Sequence, residues 1–244
     1  MDTQTQAQIY LSDQHGCSQL DFFRSYHGFN FGSYQAEGRE PFGALQVLND
    51  DVLMAGHRVC MQVERSTNVV ILPLVGGLGY KSDAGKGFLE AGQVLILSLT
   101  SGMTYEVSNP YDTETINYLA IWLINSSDKF KVAQQINSFD FQIKNKLFPV
   151  FDLADDASFG NTASRAFMGR YEGRQEGIYP IYSGRDKGVA TGVFVFVLQG
   201  AFEVQNRLLH ERDGLALLAI QNGEVEFEAL SNDAMLLLLD VPLT

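Results

Sequence analysis

Val70-Ile71-Leu72-Pro73-Leu74-Val75-Gly76-Gly77-Leu78 is an apolar run that closes on glycine and resumes with a hydrophobic residue. Phe194-Val195-Phe196-Val197-Leu198-Gln199-Gly200-Ala201-Phe202 repeats that design in the second half of the chain. Outward from this pair, Leu89-Glu90-Ala91-Gly92-Gln93-Val94-Leu95-Ile96-Leu97 parallels Glu211-Arg212-Asp213-Gly214-Leu215-Ala216-Leu217-Leu218. Ser108-Asn109 parallels Ser231-Asn232, and Ile116 to Leu123 parallels Ala234 to Val241. The spacings agree: Gly76 and Gly200 are 124 residues apart, Gly92 and Gly214 are 122, Asn109 and Asn232 are 123. A period of half the chain is too long for a solenoid and marks a duplicated domain.

Within each copy the runs are short, rich in β-branched and aromatic residues, and divided by Gly, Asn, Asp or Pro. Such runs predict strands, and their close, regular spacing predicts a sandwich or barrel. The composition agrees, because 23 Gly, 17 Phe and 10 Tyr favour strands joined by turns over helices. Ser126 to Asn145 breaks the strand pattern and is expected to link the halves, with a short helix at Asp128 to Ile136.

A formal net charge of −12 argues against direct nucleic-acid binding, which needs Lys and Arg clustered on one face. The densest basic stretch, Lys144 to Lys146, holds two charges and reads as a solvated loop. Cys17 and Cys60 do not make a disulfide framework and are expected as free thiols in a reducing compartment. Met1 to Tyr10 lacks a signal-peptide profile, and apolar stretches such as Ala234 to Leu239 are too short to cross a bilayer. The expectation is therefore a cytoplasmic protein with no membrane partner.

Phe29-Asn30-Phe31-Gly32-Ser33-Tyr34 is followed by Phe42-Gly43-Ala44-Leu45-Gln46-Val47-Leu48-Asn49-Asp50-Asp51-Val52. This stretch resembles the opening of the pirins and the related bacterial quercetinases, with Leu-Asn-Asp-Asp-Val as its best marker. Leu239-Asp240-Val241-Pro242-Leu243 resembles their closing strand. The resemblance implies an all-β bicupin of two tandem barrels. Residues 1–125 would form the N-terminal cupin domain, 126–145 the linker and 146–244 the C-terminal cupin domain.

The same resemblance implies a place for a metal. Cupins carry a first motif of glycine, five residues and His-x-His with an acidic residue soon after, then a second of glycine, two residues, His, three residues and Asn. Here the first frame reads Gly56, five residues, then Gln62-Val63-Glu64, with Asn68 at the acidic position. The second reads Gly102-Met103-Thr104-Tyr105, three residues, then Asn109, and the further glutamate typical of pirins falls on Val107. The punctuation is kept and every histidine is replaced.

Imidazoles and carboxylates bind Fe, Cu, Ni or Zn well. Gln62 offers a weak amide oxygen, and ionising Tyr105 at pH 7 costs about 4 kcal/mol from a reference pKa of about 10. Only Glu64 is a strong hard ligand. No metal or other cofactor is expected, and no residue is assigned a catalytic or metal-ligating role. Two readings stay open for Gln62, Glu64 and Tyr105: a ligand-binding cluster in the first barrel, or polar groups that satisfy one another, with the Tyr105 hydroxyl donating to Glu64.

The four histidines, His15, His27, His57 and His210, share no metal-ligand spacing. Gly76-Gly77-Leu78-Gly79 lacks the following helix of a phosphate loop and reads as a hairpin. The second half carries Glu203-Val204-Gln205-Asn206-Arg207 at the equivalent turn and reads as structural. The expected function is that of a pirin-like bicupin without the metal triad, a non-catalytic small-molecule-binding or regulatory protein. Its partners would be a small molecule in the N-terminal barrel or another protein, the latter with the acidic surface as its working part. The alternative is a quercetinase-like metal-dependent dioxygenase with an atypical site.

Overall fold

The computed structural model describes residues 5–125, 130–154, 156–160, 162–181, 190–220 and 223–243. The first half runs through β1 (Gln6–Tyr10), β2 (Gly16–Gln19), β3 (Phe23–His27), β4 (Leu45–Leu53), β5 (Arg58–Gln62) and β6 (Thr67–Val75). It continues with β7 (Leu78–Ser82), β8 (Gly85–Leu89), β9 (Gln93–Leu99), β10 (Thr104–Ser108), β11 (Ile116–Ile124) and β12 (Ala133–Ser138). The second half holds β13 (Lys146–Asp152), β14 (Arg165–Tyr171), β15 (Glu176–Pro180), β16 (Thr191–Gln199) and β17 (Phe202–Val204). It ends with β18 (Arg207–Leu209), β19 (Gly214–Leu218), β20 (Glu224–Ala229) and β21 (Ala234–Pro242). Among the described residues there are also two 3-10 turns, Ser12–Gln14 and Ala157–Phe159, and no helix long and apolar enough to cross a membrane.

The duplication is plain in the strand order. One unit has a seven-stranded sheet, β12-β9-β6-β11-β4-β3-β2, and a four-stranded sheet, β5-β10-β7-β8. The other has a six-stranded sheet, β1-β19-β16-β21-β14-β13, and a four-stranded sheet, β15-β20-β17-β18. β9-β6-β11-β4 and β19-β16-β21-β14 are the same arrangement, as are the two four-stranded sheets. Each unit closes its two sheets over one apolar core. The first core is built on Leu53, Ile71, Leu97, Val107 and Tyr118, the second on Val195, Phe202, Leu217, Phe227 and Leu236. β6 and β16 are buried along most of their length, which is why they read as continuous apolar runs and not as alternating ones. The fold is the bicupin that the resemblance implied.

Gly76 and Gly200 play the same part, with φ of 75° and 77° where the long strand turns back, a conformation glycine adopts without penalty. The second glycine pairing differs. Gly92 has φ 86°, but its conformational counterpart is Arg212 with φ 67°, while Gly214 already begins β19.

Compactness divides the chain differently from the sequence reading. One unit is His15–Ser138 with Asp155–Thr162; the other is Phe139–Ala154 and Ala163–Thr244 with the N-terminal segment through Gln14. The cause is edge pairing, because β1 pairs with β19 over Gln6 to Tyr10, and β12 pairs with β9 over Ala133 to Ser138. The expected helix at Asp128 to Ile136 is corrected over Ala133 to Ile136, which is strand. Its side chains alternate between half-buried and exposed, a period of two that the charged flanks concealed. Asp128 and Lys129 lie outside the described residues.

Candidate functional site: the mouth and interior of the first barrel

The three residues of the metal frame are not brought together. β5 and β10 pair antiparallel with Tyr105 opposite Met61 and Thr104 opposite Gln62. Opposed residues share a face and neighbours along a strand do not, so Tyr105 enters the core beside Val59 and Met61 while Gln62 faces outward. Gln62 is exposed and its Nε2 donates to the Gly102 carbonyl at 2.9 Å. Glu64, just past the end of β5, is exposed as well. Tyr105 is 4% exposed, and its hydroxyl accepts from Trp122 Nε1 at 3.0 Å. The expected bond from Tyr105 to Glu64 is therefore not made. The one-residue alternation of a strand separates them. Burial raises the Tyr105 hydroxyl well above an ordinary phenol; the Trp122 bond opposes this, and the charges of Asp51 and Cys60 add to it.

The flanking frame residues serve the fold. Asn68 is fully buried, and its Nδ2 reaches the Phe159 carbonyl at 3.3 Å, which also takes a 2.7 Å bond from Asn125 Nδ2. Asn109 Nδ2 donates to the Leu53 and Glu114 carbonyls at 3.0 and 2.8 Å, and Val107 is core. His57 stacks on Phe22 with ring centroids 4.8 Å apart. Cys17 and Cys60 are free and exposed.

Behind the mouth lies a buried polar group that motif counting missed. Ser25 on β3, Asp51 on β4 and Tyr118 on β11 stand opposite one another across three strands. Both hydroxyls hydrogen-bond the Asp51 carboxyl, whose Oδ1 has no partner. Burial pushes Asp51 up to about 7; the Ser25 bond opposes this, the Asp50 charge adds to it, and the Tyr118 bond opposes it. Next to it, fully buried His27 places Nδ1 2.9 Å from Asn49 Oδ1 and Nε2 2.8 Å from Ser18 Oγ. The amide oxygen can only accept, so Nδ1 carries the proton and Nε2 accepts from Ser18. Burial lowers the His27 pKa, partly offset by Asn49, which keeps the ring neutral at pH 7.

A cleft of about 320 Å3 opens at the mouth, lined by Phe31, Met61, Gln62, Glu64, Arg65 and Trp122 among others. Trp122 is its inner wall: one side lines the cleft, while the indole N–H is held by Tyr105. Phe31 meets Trp122 edge to face at 5.8 Å and lies 5.0 Å from the His27 ring, so the His27 network backs the aromatic wall. One sign of Trp122 was present in the sequence: Ile116, Tyr118, Ala120 and Trp122 follow the period of two that points a strand's residues inward.

The donor set does not fit the transition metal that the cupin frame implies. Gln62 is engaged with a carbonyl, the Tyr105 oxygen is turned to an indole donor, and Glu64 alone offers a carboxylate at the mouth. Among the described residues no group of three or more His, Cys, Asp or Glu is arranged to hold a metal ion. In the second unit, Asp240 occupies the place in β21 that Trp122 has in β11, and Tyr179 donates to it at 2.8 Å. Both side chains of this hydroxyl–carboxyl pair are buried, and a cleft of about 350 Å3 lies beside Tyr179 and Phe167.

Residues 166–241 match the family of the quercetinase C-terminal cupin domain. Over 241 residues the chain is 24% identical to a quercetin 2,3-dioxygenase of Escherichia coli K12, covering 96% of this chain and 99% of that protein. It is 29% identical to a putative quercetin 2,3-dioxygenase of Pseudomonas aeruginosa over 113 residues, 46% of this chain and 48% of that protein. Among solved structures, YhhW from Escherichia coli superposes with a TM-score of 0.83 at 20% identity, covering 98% and 99% of the two chains. The bacterial pirin YhhW in complex with nickel(II) gives 0.82 at 20% identity, covering 98% and 100%.

Proposed function

We propose that this chain, a pirin-like bicupin by its fold and its relatives, acts by binding and not by oxygen chemistry. It would take a small aromatic molecule in the cleft of its first barrel without a metal, and pass on the occupied state to a protein partner. The observation that carries this reading is the Trp122–Tyr105 pair. A metal-dependent dioxygenase needs donors converging on one ion, whereas here an indole N–H consumes the one inward-facing oxygen of the frame. The wall so formed, with Phe31 and Met61, offers the apolar surface with few polar groups that small-molecule sites have.

The dioxygenase reading draws on the names of the relatives and on Glu64, a carboxylate left without a partner at the mouth. The two readings separate in one experiment. Trp122 is the chain's single tryptophan, so its emission reports on the cleft directly. Quercetin is added as the probe while Trp122 emission and dissolved oxygen are followed, with and without added Fe(II), Ni(II) or Cu(II). Saturable quenching with no oxygen uptake above the metal blank is expected. Metal-dependent uptake that Glu64→Gln abolishes would assign the dioxygenase activity instead.

A further inference from the structure

Two opposite charges at the cleft are left unused by the protein. Glu64 and Arg65 both line it and both are exposed. Neither side chain makes a hydrogen bond or an ion pair with any described residue, and the two do not pair with one another. Some charges elsewhere are paired: Arg165 Nε sits 2.8 Å from Asp152, and Arg170 and Lys144 both sit 2.8 Å from Asp233. In a chain of net charge −12, a lone carboxylate facing solvent is unremarkable. A guanidinium next to it in sequence that lines the same aromatic-walled cleft is not.

The polar inventory is asymmetric in the same sense. Gln62 Nε2 is committed to the Gly102 carbonyl, which leaves the amide oxygen free to accept beside Glu64. Glu64 and the Gln62 oxygen thus give the cleft acceptors and negative charge, while Arg65 gives it a planar fork of donors, the group best matched to a carboxylate. The edge-to-face rings of Phe31 and Trp122 and the thioether of Met61 give it an apolar wall. The size sets a further limit: about 320 Å3 lies at the small end of ligand sites, which run from about 300 to 1,000 Å3.

We propose that the cleft binds a small aromatic zwitterion of the free aromatic amino-acid class. The ring packs on Trp122 and Phe31, the ammonium faces Glu64 and the Gln62 oxygen, and the carboxylate is held by Arg65. This rests on the binding function proposed above and names the chemistry of its ligand.

The test uses the whole chain and three probes that share one ring: L-phenylalanine, 3-phenylpropanoate without the ammonium, and phenethylamine without the carboxylate. None contains an indole, so Trp122 emission reads each titration. Exposed charge pairs are worth about 0.2–1 kcal/mol, so L-phenylalanine should bind up to about fivefold tighter than either fragment at low salt, and less so as salt rises. Glu64→Gln should remove its advantage over 3-phenylpropanoate, and Arg65→Gln its advantage over phenethylamine. Equal affinity for all three probes, or a variant that weakens all three alike, would overturn the proposal. If quercetin quenches Trp122 while L-phenylalanine does not, the binding function stands and the zwitterion falls. If no probe moves Trp122 emission, both fall.

Discussion

Asp51 gives the sharpest test of the buried group behind the mouth. In the folded chain its carboxyl keeps a proton up to about pH 7, whereas an unfolded chain releases it near 3.8. Between those values the folded state binds more protons, so stability falls as pH rises from about 4 to 7, and the full cost is present above that. The gap of about 3 pH units, at about 1.36 kcal/mol each, is worth about 4 kcal/mol. Asp51→Asn removes the titration and keeps an oxygen that accepts from Ser25 and Tyr118. Its new amide donor stands where Oδ1 lacks a partner, a fixed cost of about 1–3 kcal/mol that does not vary with pH.

The measured quantity is the stability of Asp51→Asn minus that of the native chain, from urea unfolding followed by Trp122 emission. Asp51 and Trp122 lie in the same unit, so the signal reports that unit. The difference should climb by about 4 kcal/mol between pH 4 and 8, a midpoint shift of about 2 M for a urea slope of about 2 kcal/mol/M. Asn should be the less stable form in acid and the more stable one above neutrality. A difference flat to within about 0.5 kcal/mol across that range would refute a buried, proton-holding Asp51.

Tyr105→Phe should cost about 1–3 kcal/mol by stranding the Trp122 indole N–H, and Trp122 emission should shift even without ligand. Gly56→Ala and Gly76→Ala both force alanine to positive φ, but a Cβ at Gly56 meets open space and one at Gly76 would lie 2.9 Å from Ile116 Cγ2. Thermal melts should therefore show about 1 kcal/mol lost at Gly56 and clearly more at Gly76. Asn125→Ala, which removes the 2.7 Å bond to the Phe159 carbonyl, should destabilise more than Asn68→Ala, whose bond is 3.3 Å, and limited proteolysis should find the Ala157–Phe159 turn opened first.

Much of the fold was legible because one long strand in each copy, β6 or β16, is buried along most of its length. Their apolar runs, each closed by a glycine at positive φ, stand out from any background and repeat at one spacing. Edge strands gave no such signal. β1 (Gln-Ala-Gln-Ile-Tyr) and β12 (Ala-Gln-Gln-Ile-Asn-Ser) are polar and half exposed, and their assignment to a sheet comes from the partner edge, β19 or β9, and not from their own residues. A strand that is specified by its partner is invisible to local pattern, and so are the unit boundaries that depend on it.

The site failed to read for a different reason. A motif frame counts residues along the chain, but which side of a strand a residue occupies depends on pairing register. Gln62, Glu64 and Tyr105 carry the right numbers from their glycines, yet β10 sets Tyr105 against Met61, one step from Gln62, and a single step reverses the face. Metal ligands would ordinarily enforce convergence, since an ion pulls its donors to one point whatever the strands prefer. Without imidazoles at these positions nothing opposes the pleat, and the inward direction goes to the residues that pay least for burial: Met61, Tyr105 and Trp122. The polar residues of the old frame turn to the rim, where Gln62 is tied to a backbone carbonyl and Glu64 is left facing the cleft. The separation of Gln62 and Glu64 from Tyr105 and the aromatic-walled, charge-rimmed cleft thus have one cause, the pleat of β5 against β10. Placing histidine at 62, 64 and 105 alone should not create a metal site, because the pleat turns 62 away from 105 and Trp122 still occupies the inner wall of the cleft. Adding Trp122→Ala should be required before nickel raises the melting temperature, and a nickel-stabilised triple-histidine chain that keeps Trp122 would show that the pleat yields to the metal after all.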